Sequence, residues 1–373
     1  MIANMSEKLK FARSRTGLTL NQVEKHTGIC KSTLSEFENG KREPKLSQLQ
    51  QLAELYQRPI SFFVDKQPPP SEYVLWRQKP TESPKKLEDR FLKYCMQYRL
   101  LEEWLGEVVT PKLPEVHCKP ENMNFAEIQE LASRVHRELG LGDRPALQLM
   151  RALEEDCGIK IFHVQFEPSG SAACTKNERF GLAILLNTKN TRWRRNFDLA
   201  HELFHLLAWD VFRPEAGCDE TPSEKEEQFA NVFASYLLLP DEPVRNAVER
   251  RRGNKGLSIE ALFEIARQFD VSAEALVWRL HNLYNLGPER LEKTRRLVEE
   301  IRMRVPYYEQ RQGDDSIPPK WPERYKALAT KALRHGEISL GRFAEFLEMT
   351  RKQASEYVEQ EECELEEIQL TPA

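Results

Sequence analysis

The sequence lacks long apolar runs, paired cysteines and a strong excess of charge of either sign. No apolar stretch approaches the ~20 residues that a transmembrane helix needs, so we expect no membrane segment. The first residues include Lys and Arg but no apolar segment typical of secretory signals, which predicts a cytoplasmic protein. The seven cysteines form no CxxC pair, and this favours reduced thiols over disulfides or a cysteine metal site.

The charge is distributed unevenly along the 373 residues. A net charge of −4 does not indicate that the whole chain binds nucleic acid, so any DNA contact must come from a local patch. Residues 1–65 carry ten Lys or Arg against seven Asp or Glu, a net charge of +3. A chain of this length has material for two or three domains.

Hydrophobic periodicity predicts a mainly α, α+β protein in four parts. The parts are 1–65 (five short helices), 66–123 (a Pro-rich linker and a helix), 124–285 (a second globular domain) and 286–373 (a helical block with an acidic tail). Within the third part, the apolar runs at 160–166 and 181–187 predict two strands of a small sheet. The spacing of apolar residues predicts helices at 124–139, 144–157, 192–209, 223–238 and 258–284.

The N-terminal part contains a helix, a short turn at Gly28 and a second helix that begins near Lys31 with small polar residues. This arrangement suits DNA recognition, because side chains at the start of the second helix can reach base edges in the major groove. The alternative is a helical protein-docking domain with a solvated basic face.

The string GICKSTLSEFENGKREP and the residues around it resemble the Cro/C1-type (XRE family) helix-turn-helix. The resemblance implies that the partner is a double-stranded DNA operator. It implies that eight residues contact DNA: Gln22, Lys31, Ser32, Thr33 and Ser35 facing the bases, and Asn39, Lys41 and Arg42 at the phosphates. We expect a homodimer, since one helix-turn-helix reads one half-site.

A second motif, His201-Glu202-Leu203-Phe204-His205, has the HExxH pattern. On a helix, positions i and i+4 share one face, so both imidazoles can bind one Zn²⁺. Glu202 would lie beside them as a proton acceptor. The alternative is a pair of ordinary helix histidines.

A catalytic zinc site usually needs a third protein ligand, and the acidic residues of the following helix are candidates. Glu220, Glu224, Glu226 and Glu227 all lie in or just before the segment EKEEQFANVFASYLLLP. Periodicity alone does not decide among them.

The pattern RxxFxLAHELxHLL, followed by ExxANxFAxxLLxP, resembles the ImmA/IrrE family of metallopeptidases. The resemblance implies a zincin-like metallopeptidase domain with a small β-sheet. It implies that His201, His205 and Glu227 bind zinc, with manganese as the alternative, and that Glu202 is the catalytic general base. The implied activity is zinc-dependent hydrolysis of a peptide bond in a regulatory protein, such as a repressor or an antitoxin.

Several alternatives stay open at this point. The chain could be a non-enzymatic XRE-family transcription factor or antitoxin that uses the peptidase fold as a sensor or dimerisation scaffold. Cys174 could bind the zinc as an inhibitory thiolate, although a buried idle thiol is favoured. Asn231 and Asp198 are candidate partners for the histidine nitrogens.

The C-terminal block, 286–373, is predicted to serve docking or dimerisation through three short helices between 321 and 358. Its segment 339–358 also has the residue spacing of a helix-turn-helix. A second DNA-reading unit is therefore the less favoured alternative.

Overall fold

The structure is a computed structural model. It describes residues 2–16, 18–56, 58, 60–64, 73–81, 83–116, 120–168, 172–213, 221–253, 256–310 and 317–370. Among these residues, no helix is both long enough and apolar enough to cross a bilayer.

The N-terminal domain has the five helices that the sequence predicts. They are α1 (Ile2–Thr16), α2 (Leu20–Thr27), α3 (Lys31–Glu38), α4 (Leu46–Leu55) and α5 (Ile60–Val64). Thr19 caps α2 in a capping box with Gln22, and Gly28 ends it at φ 70°. That left-handed conformation favours glycine and turns the chain sharply into α3. Val23, Leu34 and Phe37 are buried where the helices meet.

The middle of the chain combines one sheet with nine helices in its described residues. In chain order the elements are β1 (Leu75–Trp76), α6 (Pro84–Trp104), α7 (Phe125–Glu138), α8 (Pro145–Arg151), β2 (Lys160–Val164), β3 (Ala172–Asn177), β4 (Gly181–Asn187), α9 (Arg192–Leu207), α10 (Trp209–Phe212), α11 (Glu224–Leu238), α12 (Asp241–Arg251), α13 (Ile259–Phe269) and α14 (Ala273–Leu283). A π-helical turn, Ala152–Asp156, follows α8. The predicted helical segment 258–284 is divided into α13 and α14 by Asp270, which has φ 58°.

The sheet has four strands in the order β1-β3-β4-β2. β2 and β4 are parallel, and the other two pairings are antiparallel. Strands β2 and β4 are confirmed as predicted from the sequence. Strand β3 was not predicted, because its residues AACTKN include polar side chains that interrupt the apolar run. Nor was β1, a two-residue strand inside the segment interpreted as linker. The region after the N-terminal domain therefore contributes an edge strand to the central sheet.

The C-terminal block consists of α15 (Leu291–Gln310), α16 (Glu323–Arg334), α17 (Leu340–Phe346) and α18 (Arg351–Leu370), with a 3₁₀ turn at Pro288–Arg290 before them. The backbone of α18 remains helical to Leu370, well beyond the predicted end near residue 358.

An aromatic cluster joins α6, the sheet and α16. Phe162 on β2 is fully buried at its centre. Its ring centroid lies 5.5 Å from that of Tyr94 and 6.1 Å from that of Tyr325. A buried ion pair of Lys160 with Glu102, at 3.1 Å, runs beside this cluster. The long α6 and helices α16–α18 are thus packed on one face of the sheet, whereas the metal-site helices and α15 belong to the core on the other.

Replacing Phe162 with Ala should therefore loosen this face of the molecule. Loss of a fully buried Phe typically costs ~3–5 kcal/mol of unfolding free energy. We expect a lower urea midpoint and faster amide exchange in α6 and α16. Met303→Ala, at an 82% exposed position, is the matched control and should leave both quantities unchanged. An unchanged midpoint in Phe162→Ala would contradict the proposed role of the cluster.

Candidate metal centre

The two motif histidines lie one turn apart on α9 and are buried inside the protein. His201 and His205 are 0% and 1% exposed. Their Nε2 atoms are 3.2 Å apart, so both imidazoles converge on one point. The helix begins at Arg192, and its apolar residues Leu199, Leu203 and Phe204 pack into the core. This packing fixes the rotation of the helix about its axis and therefore the direction of the face that carries the two histidines.

Glu227 reaches the same point from α11. Its Oε2 lies 3.3 Å from His201 Nε2, and its Oε1 lies 3.4 Å from His205 Nε2. The three ligand atoms lie within 4.8 Å of one another. The buried Ala230 and Ala234 line the face of α11 at the core and leave room for close packing with α9. The arrangement can hold a metal ion between two nitrogens and one carboxylate.

The rival acids occupy other positions. Glu226 is buried and binds His205 through its other ring nitrogen, while Glu224 is exposed on the first turn of α11. Glu220 lies outside the described residues.

Both histidines are oriented by partners on their Nδ1 atoms. His201 Nδ1 lies 3.2 Å from Asn231 Oδ1, and His205 Nδ1 lies 2.8 Å from Glu226 Oε1. Oxygen acceptors at Nδ1 hold the proton there and leave Nε2 as the ligand atom. Asn231 thus has the predicted kind of contact. Among the described residues no hydrogen bond is found between Asp198 and a histidine, and its carboxylate accepts one from Asn190 at 2.8 Å.

The surroundings shift the pKa values of the site residues in different directions. Burial lowers the pKa of His201 to about 3. Burial also disfavours a charged His205, but the hydrogen bonds to Glu226 and Glu227 outweigh it and raise the pKa of His205 to about 9. Burial opposes ionisation of Glu227 as well, yet its contacts with the two histidines bring its pKa below the ordinary value. Without metal, the site therefore holds a proton on His205 at neutral pH.

Glu202 is fully buried beside the histidines. In the described part of the chain, neither of its carboxylate oxygens has a hydrogen-bond partner. Burial raises its pKa to about 7, so the group can exchange a proton near neutral pH. Cys174 on β3 is also fully buried, and burial together with the nearby Glu202 carboxylate raises the pKa of its thiol well above the ordinary value. That shift favours an idle thiol over an inhibitory thiolate.

Two arginines of the site were missed from the sequence. Arg213, just after α10, donates to Glu226 Oε1 at 3.0 and 2.9 Å and to Oε2 at 3.1 Å. This clamp fixes the carboxylate that orients His205. No motif in the sequence marks Arg213, because its role depends on the way the chain folds back after α10.

The second arginine, Arg77, comes from the end of β1. Its guanidinium donates to Asp198 Oδ1 at 3.0 Å and to Asn231 Oδ1 at 3.3 Å, and its Nε lies 3.9 Å from Glu227 Oε2. The backbone N–H of Arg77 also bonds the carbonyl of Ala172 at 3.2 Å, next to the β1–β3 pairing. A segment outside the central domain thus reaches the metal site.

The predicted DNA-contacting residues lie on α2, α3 and the turn that follows α3. Lys31, Ser32, Asn39, Lys41 and Arg42 are exposed, as is Gln22, whereas Thr33 and Ser35 are half-buried. The side-chain oxygen of Gln22 accepts a hydrogen bond from the backbone N–H of Thr19. The Asn39 side chain donates to the carbonyl of Ser35 at 2.7 Å. All eight residues are polar and at least partly exposed, and their contact with DNA stays a prediction.

Comparison with known proteins finds two family models that match separate parts of the chain. Residues 5–60 match the family model described as a helix-turn-helix domain, and residues 154–281 match the one described as an IrrE N-terminal-like domain. The predicted fusion of the two is thereby confirmed. No curated protein matches the chain.

Among solved structures, one similar chain is in the crystal structure of Bacillus thuringiensis PlcR in complex with the peptide PapR7 and DNA. The identity is 13%, the match covers 84% of this chain and 99% of that one, and the TM-score is 0.17.

Replacing Glu226 with Gln should weaken zinc binding about 10–100-fold, as expected when a ligand's hydrogen-bonded partner is altered. The amide would keep the volume but remove the charge that Arg213 and His205 share. Competition with a chelating dye measures the affinity. Glu224→Gln, an exposed change on the same turn, is the matched control. Equal affinity in both variants would show that Glu226 does not support the ligand.

Zinc binding should release about one proton per site at pH 7, because the metal requires a neutral His205 and the free site keeps that residue protonated up to about pH 9. Zinc affinity should accordingly rise about tenfold per pH unit up to that value and then level off. Titration calorimetry in two buffers of different ionisation enthalpy gives the proton count. A count near zero at pH 7 would contradict the raised pKa.

Proposed function

We propose that this chain, a helix-turn-helix domain fused to an IrrE N-terminal-like domain, is a DNA-binding transcriptional regulator with zinc-dependent peptidase activity. Its substrate would be a regulatory protein. The observation that carries the proposal is the convergence of His201, His205 and Glu227 beside the buried carboxyl of Glu202.

The residues present fit a zinc ion. Two imidazole nitrogens and one carboxylate oxygen form a common ligand set of catalytic zinc, and both histidines are held with Nε2 turned toward Glu227. Manganese is the alternative metal. Zinc bound there would polarise the scissile carbonyl and promote attack by water.

Glu202 supplies the proton transfer in this proposal. A carboxyl with a pKa of about 7 can take a proton from the attacking water and return it to the leaving amine at neutral pH. Among the described residues neither carboxylate oxygen has a hydrogen-bond partner, so either oxygen can take part in this transfer. The orientation of the histidines is kept by Asn231 and Glu226, and Arg213 holds Glu226 in place.

The N-terminal domain supports the regulatory half of the proposal. The exposed start of α3, Lys31 and Ser32, can enter the major groove of an operator, while Lys41 and Arg42 are placed to contact phosphate. A homodimer would present two such helices to a palindromic site.

One observation favours the second candidate, a non-enzymatic regulator that uses the metal domain as a sensor or scaffold. His201 and Glu202 are both 0% exposed, and Arg77 lies close to Glu227, so the site has little open surface for a substrate. Both candidates share the metal and differ in whether Glu202 acts on a peptide bond.

The deciding experiment is substrate capture with Glu202→Gln, which preserves the side-chain volume and the three metal ligands. Proteins captured by this variant are identified by mass spectrometry and then incubated with zinc-loaded wild-type chain. We expect cleavage by wild type and by the Glu224→Gln control, and a loss of at least ~100-fold in Glu202→Gln. Equal cleavage by wild type and Glu202→Gln would remove the enzyme proposal. Zinc binding without any cleavage would favour the scaffold.

A further inference from the structure

The C-terminal block repeats the helix-turn-helix geometry of the N-terminal domain at a constant offset of 320 residues. Thr19 and Ser339 are the N-caps of α2 and α17. The residues with positive φ are Gly28 and Glu348, nine positions after each cap. The second helices then begin at Lys31 and Arg351, three positions later in both units. Neither family model covers this part of the chain.

We propose that residues 338–358 form a second DNA-binding unit, whose ligand is double-stranded DNA. This inference does not depend on the proposed peptidase activity. It also reverses the preference for docking that the sequence suggested, because the backbone register and the surface chemistry are visible only in the structure.

The burial pattern follows the same register. Val23 in α2 and Phe343 in α17 are buried at equivalent positions, as are Leu34 in α3 and Ala354 in α18. In both units the first two residues of the second helix are exposed. The same side of each second helix therefore faces its core, and the same side faces outward.

The turn of the C-terminal unit is fixed in its unusual conformation by side-chain contacts. Glu348 has φ 49°, a region that costs a non-glycine residue ~1 kcal/mol or more. Its carboxylate accepts hydrogen bonds from Tyr94 at 2.6 Å and Arg90 at 3.1 Å, and also pairs with Lys320. These contacts with α6 and with the segment before α16 hold Glu348 in the left-handed conformation. Gly28, at the equivalent position of the N-terminal unit, is a glycine and needs no such contacts.

The third helix that such a unit needs is also present. Tyr325 on α16 donates a hydrogen bond to the carbonyl of Phe346 at 3.2 Å, and Trp321 donates to that of Leu347 at 3.0 Å. Both rings are buried in the core that Phe343 and Ala354 share. The two helices of the unit are thus set on a rigid base, and the first residues of α18, Arg351 and Lys352, are exposed.

The outward-facing positions have the chemistry that DNA requires. The N-terminal residues predicted to face bases correspond, at the 320-residue offset, to five polar or basic residues: Arg342, Arg351, Lys352, Gln353 and Ser355. Three of these five are basic, against one of five in the N-terminal unit. Arg351, Lys352 and Gln353 are exposed at the start of α18, where side chains reach base edges and phosphates.

Acidic residues limit the contact to the first turns of α18. Glu356 and Glu359 follow the basic pair, and the sequence beyond them is rich in Glu. The predicted phosphate-facing residues Asn39, Lys41 and Arg42 of the N-terminal unit correspond to Glu359, Glu361 and Glu362, so contact with phosphate at those positions is not shared. Glu36 is equivalent to Glu356. An acidic second turn is therefore a shared feature of the two units.

The test measures binding of the full chain to a fluorescein-labelled duplex of mixed sequence, about four helical turns long. Fluorescence anisotropy is recorded between about 50 and about 200 mM KCl. We expect Arg351→Ala with Lys352→Ala to weaken binding at least about fivefold. The slope of log affinity against log salt should fall by ~2, since two positive charges at the DNA surface are lost.

The matched control is Lys293→Ala with Arg295→Ala, which removes two exposed charges from α15 and should leave both quantities near wild type. The single charge reversal Lys352→Glu should act in the same direction as the α18 double variant and guards against misfolding of the latter. An α18 double variant that binds like wild type, or no more weakly than the control, overturns the inference in favour of protein docking.

A third arm separates this inference from the proposed function of the N-terminal domain. If Lys31→Ala with Lys41→Ala leaves DNA binding intact while the α18 variant loses it, the N-terminal proposal fails and this one stands. If only the N-terminal variant loses DNA binding, the N-terminal proposal stands and the inference about α18 fails.

Discussion

The close packing of α9 against α11 is the constraint on which the site depends. Each helix alone carries ordinary residues, a histidine pair on one and a first-turn carboxylate on the other. Packed together through Phe204, Phe233 and the small Ala230, they bring three ligand atoms within 4.8 Å of one another. Each histidine has an oxygen partner at Nδ1, which leaves its Nε2 atom to bind the metal. This arrangement requires both helices, because Asn231 and Glu226 come from α11 and the histidines from α9.

The site is also tied to the segment that follows the helix-turn-helix domain. β1 adds to the outer edge of β3, and Arg77 at its end contacts Asp198, Asn231 and the neighbourhood of Glu227. Arg58, beyond α4, pairs with Asp89 of α6 at 3.3 Å, so the N-terminal domain is held against the same helix that supports the C-terminal block. One chain thus connects the helix-turn-helix domain to the candidate metal site through short contacts.

The sequence predicts the site best where the residues that act together are close to one another in the chain. HExxH on one helix predicts the position of both imidazoles, because helix geometry alone brings i and i+4 together. It could not choose among the acids of α11, since that choice depends on the rotation of one helix against another. Arg77 and Arg213 carried no signal at all, because each acts across a long separation in sequence. Strand β1 was missed because two residues of edge strand have no period to detect, and β3 was missed because polar residues interrupt its apolar run.

X-ray absorption at the zinc edge of the zinc-loaded full chain tests the central claim most directly. The account predicts one zinc per chain, with two imidazole nitrogens and further oxygen or nitrogen neighbours at about 2.0–2.2 Å. It also predicts that no sulfur neighbour is present. A sulfur shell near 2.3 Å, or a spectrum unchanged by Glu227→Ala, would contradict the proposed ligand set.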